Sequence, residues 1–319
     1  VPETVADLSE SELLARFVPR LSAGRQTLHG PGDDAAVVAV PSGSIVVTSD
    51  VLVEDRHFRR DWSTGVDVGW RAAAQNLADV AAMGARPTSI VVALVMPRDL
   101  AVAWVVELAE GLAAACAPHD VGIVGGDLSS GREISVAVAA FGELDGAAPV
   151  LRSGARPGDR VALAGTLGRS AAGLTALTAG GEVVVEGAEV AVATYRRPEP
   201  PLLAGPEAAR AGATAMLDVS DGLLRDAGRI ASASGVAIDL DPRLLAPDVE
   251  ALAELAEELG ADAASWVLTG GEDHGLLATF PAGHPLPPSF RRIGVVGAGC
   301  GVTVDGVAPD LVGWDHFGG

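Results

Sequence analysis

A mixed α and β chain in two domains is the fold class that this 319-residue sequence predicts. Two observations carry that expectation. Short β-branched runs bounded by Gly, Pro or Asp alternate with Ala-rich helical patterns, the signature of mixed helix and sheet. A break rich in Gly, Pro and Arg, Ala147 to Asp159 (AAPVLRSGARPGD), separates two stretches each about the size of one domain. The boundary is expected near residue 150, with domains over 1–150 and 151–319.

The elements follow in chain order. An amphipathic stretch at 9–19 reads as a helix, and AAVVAV at 35–40 and SIVVT at 44–48 read as strands. Residues 67–84 form an Ala-rich helical pattern, SIVVALVM at 89–96 a strand, and 99–117 a second Ala-rich helix. The apolar runs at 121–124 and 133–142 are strands bounded by Gly or charge. Beyond the break, RVALA at 160–164 is a strand, followed by helical patterns at 169–180, 201–211 and 221–234. VAIDL at 236–240 is a strand, 248–259 a helix, and 275–280, 291–297 and 301–305 are strands. The absence of a short fixed-period repeat argues against a solenoid.

Composition excludes several chemistries. The basic residues number 22, the acidic ones 42, and the net charge is −20. Every basic residue is arginine, so there is no Walker A lysine, no lysine Schiff base and no Ser-x-x-Lys nucleophile. The acid excess argues against a sequence-independent grip on nucleic acid, and the scarce Tyr and Phe against a stacking platform for single strands. Cys116 and Cys300 lie far apart with no CxxC or Cys/His spacing, so neither a disulfide framework nor a zinc site is expected and a reducing cytoplasm fits. No apolar run approaches a bilayer span. The first 20 residues, with Glu3, Asp7, Glu10 and Glu12, are unlike a signal peptide.

The placement of acidic residues is the most informative pattern. Asp33 and Asp34 stand in GPGDDA, Asp50 closes IVVTSD, and Asp127 closes VGIVGGD. Asp218 and Asp221 occupy MLDVSDG, and Glu272 and Asp273 follow VLTGG. Carboxylates at strand ends beside glycine lie where a loop gathers oxygens around a ligand. Asp79 adds a carboxylate on an Ala-rich helix, three residues after Asn76 and near Gln75, on one face with Asn76. An oxygen-rich set without His or Cys company selects a hard cation, magnesium by default, which is commonly held together with substrate phosphates. The competing reading is that these aspartates cap helices and make turns.

Weaker signals accompany it. GPGDDA formally matches a dinucleotide fingerprint, but two carboxylates would repel the pyrophosphate and no suitable strand precedes the first glycine. Gly165 to Gly173 runs from a strand into a helix, so its N–H groups either meet an anion or form an ordinary turn. His57 follows Asp50 by seven residues and is the histidine best placed to touch substrate. Arg152 in the break is either a phosphate clamp or a boundary salt bridge. Trp314 near the C-terminus either covers a ring or seals a core.

Together GPGDDAAVV, TSDVLVEDRHF, AAQNLADVAAMGA, IVGGD, LRSGARPGD, DVSDGLL, TGGEDH and GWDHF, in that order, make a chain that resembles the thiamine-monophosphate kinase family of the PurM-like ATP-binding superfamily. The resemblance implies an N-terminal mixed sheet with helices that pairs with its twin in a homodimer, and a C-terminal α/β domain. It implies transfer of the γ-phosphoryl group of ATP to thiamine monophosphate, giving thiamine diphosphate and ADP. Asp34, Thr48, Ser49, Asp50, Asp79, Asp127, Asp218 and Asp221 would hold magnesium ions. Gly126, Asp127, Arg152 and Ser220 would meet ATP, and His57, Glu272 and Trp314 would meet thiamine monophosphate. No side chain would serve as a covalent catalyst. The alternative within the superfamily is an ATP-dependent synthetase of the aminoimidazole ribonucleotide or hydrogenase-maturation type. A different class again is a cation-binding sensor module without turnover.

Overall fold

The computed structural model describes residues 3–29, 37–180, 185 and 187–310, and Asp34 and Trp314 lie outside them. The mixed class expected from sequence is observed. The chain divides into two units, one of residues 1–80 and 86–146, the other of 81–85 and 147–319.

The first unit contains β1 (Thr27–His29), β2 (Val37–Val38), β3 (Val46–Val53), β4 (Arg86–Met96), β5 (Gly122–Ser130) and β6 (Ser135–Glu143). Its helices are α1 (Glu10–Phe17), α2 (Gly65–Ala82, whose last two residues count with the second unit) and α3 (Val102–Cys116). β1 and β2 form a small antiparallel ribbon, and the main sheet has the order β3-β6-β4-β5, antiparallel except for the parallel pair β4/β5. Alternation decides its two faces. Ile90, Leu94, Val136, Val138 and Ala140 are at most 3% exposed on the face that α2 covers. On the opposite face Val47, Val51 and Ala93 are exposed.

Helix α2 starts at a reciprocal cap, with Thr64 N–H and Oγ1 donating to Asp67 Oδ2 at 2.9 and 2.8 Å and Asp67 N–H returning to Thr64 Oγ1. Its small side chains permit close packing on α3. A Cβ on Gly69 would stand 2.1 Å from the Leu108 carbonyl, and one on Gly111 would stand 2.0 Å from that of Val66.

The second unit has a six-stranded sheet of β7 (Arg160–Ala164), β8 (Ala215–Val219), β9 (Ala237–Leu240), β10 (Gly275–Phe280), β11 (Arg291–Gly297) and β12 (Gly301–Val304), in the order β12-β9-β11-β7-β10-β8. Only β12/β9 is parallel. Helices α4 (Arg169–Ala179), α5 (Ala188–Arg196), α6 (Ala204–Arg210), α7 (Leu223–Ser234), α8 (Pro242–Glu250), α9 (Ala253–Leu259) and α10 (Ala263–Thr269) complete it. Its core joins Leu163, Leu217, Leu223, Ile230, Ile238, Leu277 and Ile293 from sheet and helices.

Three differences from the sequence expectation have physical reasons. β8 was not expected, because Ala215-Met216-Leu217 favours helix and only Val219 is β-branched. The single helix expected at 248–259 is instead α8 and α9, with Pro247 lying inside α8. α5 and α10 were unannounced, since both mix Val into short segments of seven to nine residues.

Candidate active site

In the first unit the edge strand β3 and helix α2 bring four of the singled-out residues together. Thr48 and Asp50 are two apart on β3, so they share the face turned to α2. Thr48 Oγ1 donates to Asp79 Oδ2 at 2.8 Å, and the Asp50 N–H donates to Asn76 Oδ1 at 2.9 Å. Asn76 is fully buried and donates its amide to the Ala72 carbonyl, one turn back. It is therefore a brace for β3, and Asp79, one turn on, is half-buried beside it. Ser49 lies on the opposite face of β3 and is exposed, as is Asp50 at the sheet edge.

Asp127 sits on the other edge strand. The β4/β5 register slips by one residue at Val124, so Gly126 pairs with Val92 and Asp127 with Ala93. Without the slip Asp127 would oppose Leu94 and face the buried side. Gly126 is required there because a Cβ would stand 2.0 Å from the Val92 carbonyl. Asp127 is exposed on the open face, and no hydrogen bond or ion pair engages its side chain among the described residues.

His57 belongs to a tight turn after β3, where Asp55 has φ +61°. The Val53 N–H donates to His57 Nδ1 at 3.0 Å, and Arg71 donates to the His57 carbonyl at 2.8 Å. With Nδ1 accepting, the neutral ring carries its hydrogen on Nε2.

In the second unit two loops meet, one between β8 and α7 and one before β10. A Cβ on Gly271 would stand 1.8 Å from the Ser220 carbonyl, which also accepts the Glu272 N–H at 3.1 Å. Asp218, Ser220, Asp221 and Glu272 are thereby grouped. Asp218 is buried, and its Oδ2 lies 3.0 Å from His274 Nδ1. The N–H groups of Ser220 and Asp221 donate to Asp226 Oδ2 at 3.1 and 2.9 Å. Arg229 bridges Asp226 Oδ1, at 2.5 Å, and the Asp221 carboxylate. Burial pushes the Asp226 carboxyl up to about 6, although the Asp221 N–H and Arg229 oppose the rise.

Asp273, read from sequence among the ligand-gathering carboxylates, has a structural task. Its carboxylate accepts Thr166 Oγ1 at 2.8 Å and the N–H groups of Arg169 and Ser170 at 3.2 and 2.7 Å, capping α4. Burial raises its pKa against those bonds. The N–H groups after Gly165 therefore already meet an anion, one supplied by the chain itself. Arg152 is exposed, and its guanidinium has no ion-pair partner among the described residues. Its loop is held by Ser234 Oγ, which donates to the Arg152 carbonyl at 3.2 Å and accepts the Gly154 and Ala155 N–H groups.

Among the described residues no three His, Cys, Asp or Glu side chains form a ready-made metal cage. The donors present are carboxylates and hydroxyls in pairs, the kind of set that suits magnesium, which keeps waters and takes one or two carboxylates plus substrate phosphate oxygens. Asp226 and Arg229 have no signal in the sequence, because each acts through a partner met only in space or across a helix turn, and His274 enters only as the last residue of TGGEDH, with no role attached.

The family model of the AIR synthase related protein N-terminal domain matches residues 32–144, and that of the C-terminal domain matches 156–305. Thiamine-monophosphate kinase of Mycobacterium tuberculosis is 47% identical over 99% of this chain and 93% of that one. The chain belongs to the AIR synthase related family, among the thiamine-monophosphate kinases. Within these kinases, the solved structure of AaThiL complexed with AMPPCP and TMP is similar at a TM-score of 0.80 and 34% identity, covering 89% of this chain and 91% of that one. The hydrogenase maturation protein HypE in complex with ATP is similar at a TM-score of 0.69 and 19% identity, over 91% of this chain and 87% of that one, a likeness of fold alone.

Proposed function

We propose that this protein transfers the γ-phosphoryl group of ATP to thiamine monophosphate, giving thiamine diphosphate and ADP. Near-complete alignment with kinases of that name carries the reading. Both reactants are polyanions, and a chain of net charge −20 has no excess of positive charge to neutralise them. Magnesium, when bound, supplies that positive charge. Thr48, Ser49, Asp50, Asp79, Asp127, Asp218 and Asp221, with Asp34, are the residues that would hold it. Gly126, Asp127, Arg152 and Ser220 would meet ATP. The exposed Arg152 guanidinium suits a phosphate.

His57, Glu272 and Trp314 would meet thiamine monophosphate. The Nε2 hydrogen that Val53 leaves on His57 makes this ring a donor for a phosphate oxygen. A phosphate acceptor is largely deprotonated at neutral pH, so no strong base is needed and transfer is direct, without a phosphoenzyme.

The same reading includes a homodimer. One magnesium ion, with oxygens at about 2.1 Å, does not join Asp50 and Asp127 of one chain. They lie on opposite edges and opposite faces of a four-stranded sheet, about 14 Å apart at about 4.8 Å per strand spacing. The open face, with Val47 56% and Val51 44% exposed, is apolar enough to pack on a second copy. A 1–150 domain for dimerisation and for ATP and magnesium binding and a 151–319 α/β domain complete the assignment. Both cysteines are free thiols, which suits a reducing cytoplasm.

The test is product analysis after incubation with ATP, magnesium and thiamine monophosphate. Thiamine diphosphate equimolar with ADP is expected. ADP release without thiamine diphosphate would favour a synthetase of the same fold.

A further inference from the structure

We infer that His274 is a positioning residue that fixes the carboxylate of Asp218 for cation binding, an inference that rests on the proposed cation-holding role of Asp218. His274 and Asp218 are 3% and 5% exposed, and Nδ1 lies 3.0 Å from Oδ2. A carboxylate only accepts, so Nδ1 carries the hydrogen. One oxygen of Asp218 is thus held, which restricts rotation of the group and leaves Oδ1 as the oxygen for a cation. Hydrogen bonds of this kind behind a ligand orient it and affect metal affinity.

The loop is built to aim the imidazole. His274 has φ +54° and Glu272 has φ +68°, two left-handed residues separated by one. Such conformations cost about 1 kcal/mol or more each outside glycine and persist where surroundings over-determine them. Here the surroundings are visible. Asp273, between the two, is tied to three donors at the start of α4, and the Glu272 N–H is tied to Ser220. On the other side Gly275 pairs with Val219 and Leu276 with Asp218 itself, so the register of β10 on β8 brings position 274 beside the carboxylate. A histidine needed only to fill the core would not require the left-handed turn.

The experiment uses the intact protein with Mn2+ as the probe, titrated by electron paramagnetic resonance with AMPPCP present. Asp218→Asn serves as the reference, His274→Ala removes the donor, and His274→Asn replaces it with an amide that tolerates a left-handed backbone. We expect Mn2+ affinity to fall about tenfold or more in His274→Ala and to stay within about threefold of wild type in His274→Asn. The magnesium concentration for half-maximal rate should rise in the alanine variant while kcat at saturating magnesium changes little. Wild-type affinity in His274→Ala, or an equal defect in His274→Asn, would overturn the inference. Equal Mn2+ binding by wild type and Asp218→Asn would overturn the assignment of a cation to Asp218, and this inference with it. If the alanine variant fails to fold, the wild-type protein with 15N-labelled histidine decides: the His274 Nδ1 signal should move on adding magnesium and AMPPCP, and an unmoved signal would contradict the role.

Discussion

The fully buried Asp226 carboxylate accepts the N–H of Asp221 at 2.9 Å, reaching back from the first turn of α7 to the loop that precedes it. Its pKa of about 6 lies above the ordinary 3.8, with burial the largest cause. A raised folded-state value means that proton-linked stability is fully present below 3.8 and is lost as pH rises through about 6. Measured against Asp226→Asn by urea denaturation in a chelating buffer, the wild type should gain about 1 kcal/mol on going from pH 7 to pH 5. A difference between the two proteins that does not change with pH would contradict the shift.

Asp127 and Asp218 separate activity from stability. Asp127→Asn changes an exposed side chain and should leave stability within about 0.5 kcal/mol, whereas Asp218→Asn disturbs a buried hydrogen bond and should cost about 1–2 kcal/mol. Both should lower turnover by about 100-fold or more. Steady-state assays beside denaturation curves check both parts, and near-normal rates in both variants would refute their metal role.

The open sheet face predicts an oligomeric state. Ala93→Arg places a charge at the centre of that face and should shift the protein from a dimer to a monomer of 32.1 kDa in sedimentation equilibrium. A wild type that is already monomeric would refute the face-to-face pairing.

Thiol chemistry should distinguish the two cysteines. Burial pushes the Cys116 thiol up to about 12, while Cys300 is exposed. A chromogenic disulfide reagent should titrate one thiol in the native protein and two after unfolding, and Cys300→Ser should abolish the native reaction.

Most of the sheet was legible where β-branched residues alternate between turn residues, as in β7, β10 and β11, whose observed bounds match the expected ones. It was illegible where composition and environment disagree. Ala215-Met216-Leu217 is helix-forming, yet pairing with β10 makes it a strand. The strand-end rule singles out Asp50, Asp127, Asp218 and Asp221, but the strands run on past the apolar stretches that mark them, so Asp50, Asp127 and Asp218 lie inside β3, β5 and β8, and only Asp221 follows its strand. The same rule selected Asp273, which caps α4 instead, since a cap donated across 103 residues leaves no trace in the sequence around it. His274 and Asp218 are 56 residues apart, and only the β8/β10 register joins them.

On the proposed function, acidic side chains handle phosphate in this lysine-free chain through divalent cations. That role is tested most directly by following thiamine diphosphate formation from ATP and thiamine monophosphate as magnesium is removed with chelator and then restored. Product formation is expected to stop and to return with the ion. Undiminished formation after complete removal of divalent ions would contradict it.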